Sequence, residues 1–263
     1  MPRYERFVAI GDSTVEGLDD PAEQPDGMGG YHGWANRLAG RIANAQGSVL
    51  YANLGIRGRT TRQVRDEQLA PALAMRPDLA AVVSGTNDLL RGSFDAVALR
   101  ADVEAMQRAL IDGGATVVTF TLPDLSPIMP IARMLRRRLV RMNDAIRAAA
   151  ADTGAIVCDF ADWPVASDAR LWSPDRLHAN SAGHARIAEA LAEAVGIAGA
   201  TRAWAEPLPP ALPRGMAGFL GDEGRWLRGY LLPWLWRHAR GRSSGDGIRA
   251  KLPELTRIKA GTW

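Results

Sequence analysis

The chain has a single cysteine, Cys158, among 263 residues, which excludes an intramolecular disulfide framework. A lone thiol fits a reducing compartment, and Cys158 is expected to pack inside a strand. Lysine is nearly absent: of the 32 basic residues only Lys251 and Lys259 are not arginine. Such a bias follows coding composition as readily as phosphate binding, so no nucleic-acid partner is expected. No apolar run reaches the ~18–20 residues that a membrane-crossing helix needs. There is no room for a charged and apolar leader either, because the first strand pattern begins right after Glu5. A soluble, cytoplasmic protein is expected. Internal repeats are missing. So is a phosphate loop, since Gly11 to Gly17 is not followed by Lys and Ser or Thr, and Asp12 and Glu16 would repel phosphate. Asp175, His178 and His184 match no strong zinc spacing, so no metal and no organic cofactor is expected.

What is present suffices for a sizeable core, with 47% hydrophobic residues. Charge is uneven. Residues 1–200 carry 21 basic against 24 acidic residues, whereas 201–263 carry 11 against 5. Pro207, Pro209, Pro210 and Pro213 stiffen a connector just past that boundary. The expected organisation is one domain over 1–200 and a basic, Trp-rich extension over 201–263. Within the domain, short β-branched runs at 7–10, 49–53, 79–83, 116–121 and 156–159 alternate with helical patterns at 34–45, 61–75, 94–112, 130–152 and 182–195. Such alternation predicts βαβ units and a three-layer α/β/α sandwich on a five-stranded parallel sheet. Ser93 or Asp95 is a candidate helix cap, and the segment 19–30 reads as a loop beside the first strand's end.

Four polar blocks follow these strands: Gly11, Asp12 and Ser13; then Asn53 to Thr60; then Gly85 to Asp88; then Ser173 to His178. In an open α/β sheet the ligand crevice lies at the carboxyl ends of the strands. The blocks supply what acyl transfer requires. Ser13 is the candidate nucleophile. His178 is the candidate base, with Asp175 three residues earlier placed to hold Nδ1–H and fix the tautomer. The candidate oxyanion donors are the backbone N–H groups of Ser13 and Gly58 and the side-chain amide of Asn87. Glycine at 58 admits close approach of a peptide to the ligand.

These blocks, in this order, resemble those of the SGNH hydrolase superfamily, the GDSL-type esterases and lipases, over roughly residues 6–195. The resemblance maps the family's Ser, Gly, Asn and His onto Ser13, Gly58, Asn87 and His178, and its Asp-x-x-His pattern onto Asp175 and His178. It implies a flavodoxin-like sandwich of five parallel strands. Two positions depart from the pattern: Thr14 stands where Leu is usual, and Arg176 where Gly is common. The activity so implied is hydrolysis of carboxylic esters through an acyl-serine intermediate, and the short, cap-poor layout suggests short acyl chains. An acyltransferase or a thioesterase would use the same site. A non-catalytic module binding acyl ligands or membranes is the alternative of another class.

Around the site, Asp12, Tyr31, His32 and Trp34 are candidate pocket-lining residues, Asp12 chiefly as a hydrogen-bonding anchor of its loop. His184 lacks an Asp three residues upstream and reads as a packed helix residue. Asp88 reads as a turn or cap. Arg133, Arg136, Arg137, Arg138 and Arg141 form a basic helix face whose plain reading is a solvated surface and whose functional one is a preference for anionic substrates. Residues 224–242 mix Trp and Leu with Arg. This pattern suits peripheral membrane contact, or aromatics docked on the sandwich with arginines in water. The oligomeric state is not legible.

Overall fold

The computed structural model describes residues 2–21, 30–210, 221, 223–233, 236 and 244–263. Its first strand, β1 (Arg6–Gly11), is apolar along almost its whole length because both its faces are covered. Phe7 and Ala9 point into one apolar cluster, Val8 and Ile10 into another. Parallel partners flank β1: β2 (Ser48–Asn53) on one side and β3 (Leu79–Val83) on the other. The sheet continues through β4 (Thr116–Phe120) and β5 (Ile156–Cys158), also parallel. Cys158 is buried in that last strand.

One face is covered by α2 (Gly33–Gln46) and α7 (Ser181–Ala194), through Trp34, Leu38, Ile42 and Leu191. The other is covered by α3 (Thr61–Ala74), α5 (Ala96–Asp112) and α6 (Arg136–Thr153). Local chemistry marks these boundaries. Thr60 and Gln63 form a reciprocal capping box at α3. Asp95, of the two candidates, caps α5 by accepting from the N–H groups of Val97 and Ala98. Two short helices, α1 (Ser13–Glu16) and α4 (Thr86–Leu90), begin within three residues of the ends of β1 and β3.

The strand order is β5-β4-β3-β1-β2, the doubly wound arrangement in which the chain leaves β1 over one face and returns to β3 over the other. The crevice opens where these paths part, above the carboxyl end of β1. Gly11 makes that end possible: a Cβ there would stand 1.9 Å from the Val83 carbonyl oxygen. Buried Gln68 completes the spot, donating from Nε2 to the Gly11 carbonyl (2.9 Å) and accepting at Oε1 from the Gly11 N–H (2.8 Å).

Among the described residues the sheet has six strands where five were expected. β6 (Leu252–Lys259) adds an antiparallel edge beyond β2, with Ser48 opposite Lys259 and Asn53 opposite Leu252. Its sequence hides it, because Leu252, Leu255 and Ile258 recur every third residue rather than every second. A register shift between Tyr51 and Asn53 accommodates the mismatch. Exposed Glu254 and Lys259, with Pro253, suit an edge strand that must not recruit another.

Candidate active site

Ser13 lies two residues past the end of β1 and begins α1, whose N-terminal cap is Asp12, with Oδ1 accepting from the Thr14 N–H at 3.0 Å. The last block folds back over it from a site 165 residues later in the chain. His178 Nε2 lies 2.9 Å from Ser13 Oγ, and Nδ1 lies 2.5 Å from Asp175 Oδ2. The turn holds itself together: Asp175 Oδ1 accepts from the N–H groups of Leu177 (2.8 Å) and His178 (3.0 Å). In this geometry Nδ1 carries the hydrogen toward Asp175, and Nε2 accepts from the serine hydroxyl.

Sequence reasoning missed two neighbours of this pair. Ser173 Oγ lies 2.6 Å from Asp175 Oδ1 and 2.6 Å from Asp19 Oδ2. One hydroxyl hydrogen thus faces two carboxylates, and the corner is strongly negative. Burial alone would push the His178 pKa down, but hydrogen bonding and charge from Asp175, with further charge from Asp19 and Asp12, leave it raised above the ordinary 6.5. Asp175 is held well below the usual carboxylate range: His178 and Ser173 outweigh the opposing burial. Asp12 goes the other way, burial lifting it to about 6 against the Thr14 hydrogen bonds. Among the described residues, Asp19, Asp175 and His178 are the group whose ligating atoms lie close enough for a metal ion, within 4.8 Å of one another. Hydrogen bonds already engage these side chains. The trio drawn with His184 does not assemble, because His184 turns to the Trp34 N–H and the Leu18 carbonyl.

The second and third blocks meet above Ser13. Asn53 Nδ2 donates to the Val15 carbonyl (2.8 Å) and its Oδ1 accepts from the Gly55 N–H (3.0 Å). Arg57 is paired with buried Glu16, so the loop is fastened to α1. Gly58 then takes a left-handed φ of +76°. The backbone N–H groups of Ser13 and Gly58 have no hydrogen-bond partner among the described residues. Asn87 Nδ2 donates to the Arg59 carbonyl at 3.0 Å and stands 3.4 Å from Asp12 Oδ2, a long contact. Asp88 ties the blocks together by accepting from the N–H and hydroxyl of Thr61.

Beside Ser13 and His178 a cavity of about 120 Å³ runs between the sheet and the chain after β4. Thr14 and Leu18, close to Ser13 in the chain, line it together with Leu122, Met129, Leu135 and Leu139. Three expected lining residues are not on this wall. Trp34 is fully buried in the core, edge-on to Phe120. Tyr31 lies under the Arg57 guanidinium, and His32 meets the Trp263 ring. The periodicity of α2 aims Trp34 at the sheet, and the chain's last residues occupy the His32 side. Asp12 lies beneath the site, fully buried.

Of the Trp-rich stretch, 234, 235 and 237–242 lie outside the described residues. Trp226 is turned inward, whereas Leu227, Tyr230, Leu232 and Trp236 are exposed. Among the described residues no helix is long and apolar enough to cross a membrane.

This arrangement has relatives. The model of the GDSL-like Lipase/Acylhydrolase family matches residues 9–186, which hold all four blocks. The chain belongs to this family. It is a carboxylic ester hydrolase of the GDSL type. No curated protein matches the sequence. Among solved structures, the acetylxylan esterase Axe2 from Geobacillus stearothermophilus is 20% identical, with TM-score 0.59 over 77% of this chain and 96% of its own. The lipase/acylhydrolase from Enterococcus faecalis is 21% identical, with TM-score 0.58 over 72% and 94%. The esterase EstA from Pseudoalteromonas sp. is 17% identical, with TM-score 0.55 over 73% and 97%. At these identities the likeness concerns the GDSL fold alone.

Proposed function

We propose that this GDSL hydrolase cleaves carboxylic esters whose acyl chain enters the apolar cavity, through an acyl-Ser13 intermediate. The carrying observation is His178 set between Ser13 Oγ at 2.9 Å and Asp175 Oδ2 at 2.5 Å. His178 Nε2 takes the hydroxyl proton as Oγ bonds to the ester carbon. The carbonyl oxygen becomes an oxyanion, received by the N–H groups of Ser13 and Gly58 and by Asn87 Nδ2 once it turns from Asp12. Collapse breaks the bond to the alkoxy oxygen, and the imidazolium returns its proton to the leaving alcohol. Water, deprotonated by His178, then attacks the acyl-enzyme and releases the acid. Asp175 stays ionised and holds the imidazole.

The nearly all-apolar cavity wall supports hydrocarbon acyl groups, from short chains up to the length the wall admits, with the alcohol directed to solvent. Hydrolysis of p-nitrophenyl esters of increasing acyl length, with Ser13→Ala alongside, tests this. The variant is expected to lose about 10⁶ in kcat, and an organophosphonate is expected to label Ser13 one to one. Undiminished turnover in Ser13→Ala, or a parent protein that hydrolyses no ester and takes no label, would refute the reading.

A further inference from the structure

The turn that carries Asp175 and His178 contains a backbone that arginine does not adopt freely. Arg176 lies at φ +63°, in the left-handed region where Cβ crowds the following carbonyl. Glycine enters that region without crowding; for an arginine the conformation carries a cost that surrounding contacts can offset. They come from the extension. The Arg176 guanidinium lies 4.9 Å from the centroid of the Trp226 ring. Its NH1 stands 2.7 Å from Glu223 Oε1, an ionic contact off the line of a hydrogen bond. Trp226 Nε1 donates to the Asp175 carbonyl oxygen at 2.9 Å.

That carbonyl and Arg176 belong to one peptide unit, so Trp226 grips it twice, with the indole N–H on the oxygen and the ring face against the cation. Trp226 is 6% exposed, and shelter from water strengthens both contacts. The same peptide unit directs the Arg176 N–H to the Ser173 carbonyl at 3.0 Å. Downstream of it, the amides of Leu177 and His178 must point back at Asp175 Oδ1. If Arg176 relaxed to a negative φ, those amides would swing away and the carboxylate would lose its aim at Nδ1.

We propose that residues 223–226 form a clasp that keeps the Asp175–Arg176 peptide in its left-handed turn, with Trp226 as a positioning residue for the Asp175–His178 pair. The clasp rests on the ester-hydrolase reading of that pair. It also accounts for two features together: an arginine in a position suited to glycine, and an inward-facing tryptophan beside the exposed Leu227, Tyr230 and Leu232.

The test is a double-mutant cycle in the full-length chain, read by kcat, KM and the pH profile on a short p-nitrophenyl ester. Trp226→Ala is expected to lower kcat about tenfold or more, because small misplacements of reacting groups are expensive. KM should change less than about twofold, since Trp226 touches no cavity wall residue named above. The acid limb should move to lower pH as Asp175 loses its hold on the imidazolium. In the Arg176→Gly background the same Trp226→Ala change should lower kcat less than about twofold, because glycine keeps the turn without the clasp. Parental kcat and pH profile in Trp226→Ala would overturn the proposal, and so would a loss of equal size in both backgrounds, which marks a merely structural residue. If the parent shows no Ser13-dependent turnover, the ester-hydrolase reading has failed separately. The clasp is then read from the His178 ring titration by NMR, where an unchanged pKa in Trp226→Ala refutes it.

Discussion

His178 and His184 stand on either side of the start of α7, both largely shielded from water, and their environments use the same ring in opposite ways. Around His178 the neighbours are carboxylates: Asp175 at Nδ1, with Asp19 and Asp12 beyond. Around His184 the hydrogen-bonding neighbours are backbone groups, the Trp34 N–H on Nδ1 and the Leu18 carbonyl on Nε2. The tautomers are therefore reversed, with hydrogen on Nδ1 in the first ring and on Nε2 in the second. So are the pKa shifts. Burial dominates at His184 and drives it down to about 4, whereas at His178 the carboxylates override burial and drive it up. Burial alone lowers a ring's affinity for a proton; the charge placed behind it decides whether that affinity is restored.

The most severe way to break this contrast is to remove the charge behind His178. Asp175→Asn keeps the shape but offers an amide that no longer selects the Nδ1–H tautomer, and kcat is expected to fall by about 10⁴. Steady-state kinetics on a p-nitrophenyl ester decides it. A loss smaller than tenfold would transfer the orienting role to Asp19. A gentler test keeps the pair and changes pH. Attack needs neutral His178, so kcat should fall about tenfold per pH unit below a pKa that lies above 6.5. Asp19→Asn should move that limb toward 6.5, and an unmoved limb would remove Asp19 from the electrostatics of the site. For stability the sign reverses. A raised folded pKa means that the native state holds the proton more tightly than the unfolded chain. The contribution of His178 is therefore complete below 6.5 and disappears as pH rises through the folded value.

The contrast also shows what could be read from the chain. That Ser13, Gly58, Asn87 and His178 would gather at one end of the sheet was legible because each follows a strand or the loop beyond it, and a βαβ pattern fixes where strand ends gather. Asp175 was legible because three residues of one turn separate it from His178. Asp19 carried no such mark. It lies in a loop at φ +66°, and its partner Ser173 is 154 positions away, a distance over which no local pattern speaks. Trp34 was misplaced because an aromatic beside a polar block suits a pocket and a core equally well, and only the rotation of α2 decides. β6 was hidden by its three-residue spacing, and the inward turn of Trp226 by an amphipathic composition that fits two surfaces. What remained illegible is tertiary partnership, which composition does not encode.

The smallest expected effect belongs to His184, and it sharpens the comparison because it spares the chemistry. His184→Leu leaves the Trp34 N–H and the Leu18 carbonyl without their side-chain partner in the interior, a loss of about 1–3 kcal/mol at neutral pH. The parent should carry a pH dependence that this variant lacks. His184 stays neutral in the native state until about pH 4, while the unfolded chain takes up its proton near 6.5. Its contribution is therefore complete above 6.5 and declines as pH falls toward 4, with a slope of at most about 1.4 kcal/mol per unit. Asp12 and His178 titrate nearby with the opposite sign, so the informative quantity is the difference between parent and variant. Urea unfolding at intervals from pH 7 to 4 should show that difference shrinking as the medium becomes acidic. A constant gap would mean that His184 is protonated in the native state as readily as in the unfolded one, and the two histidines would then differ in role without differing in charge.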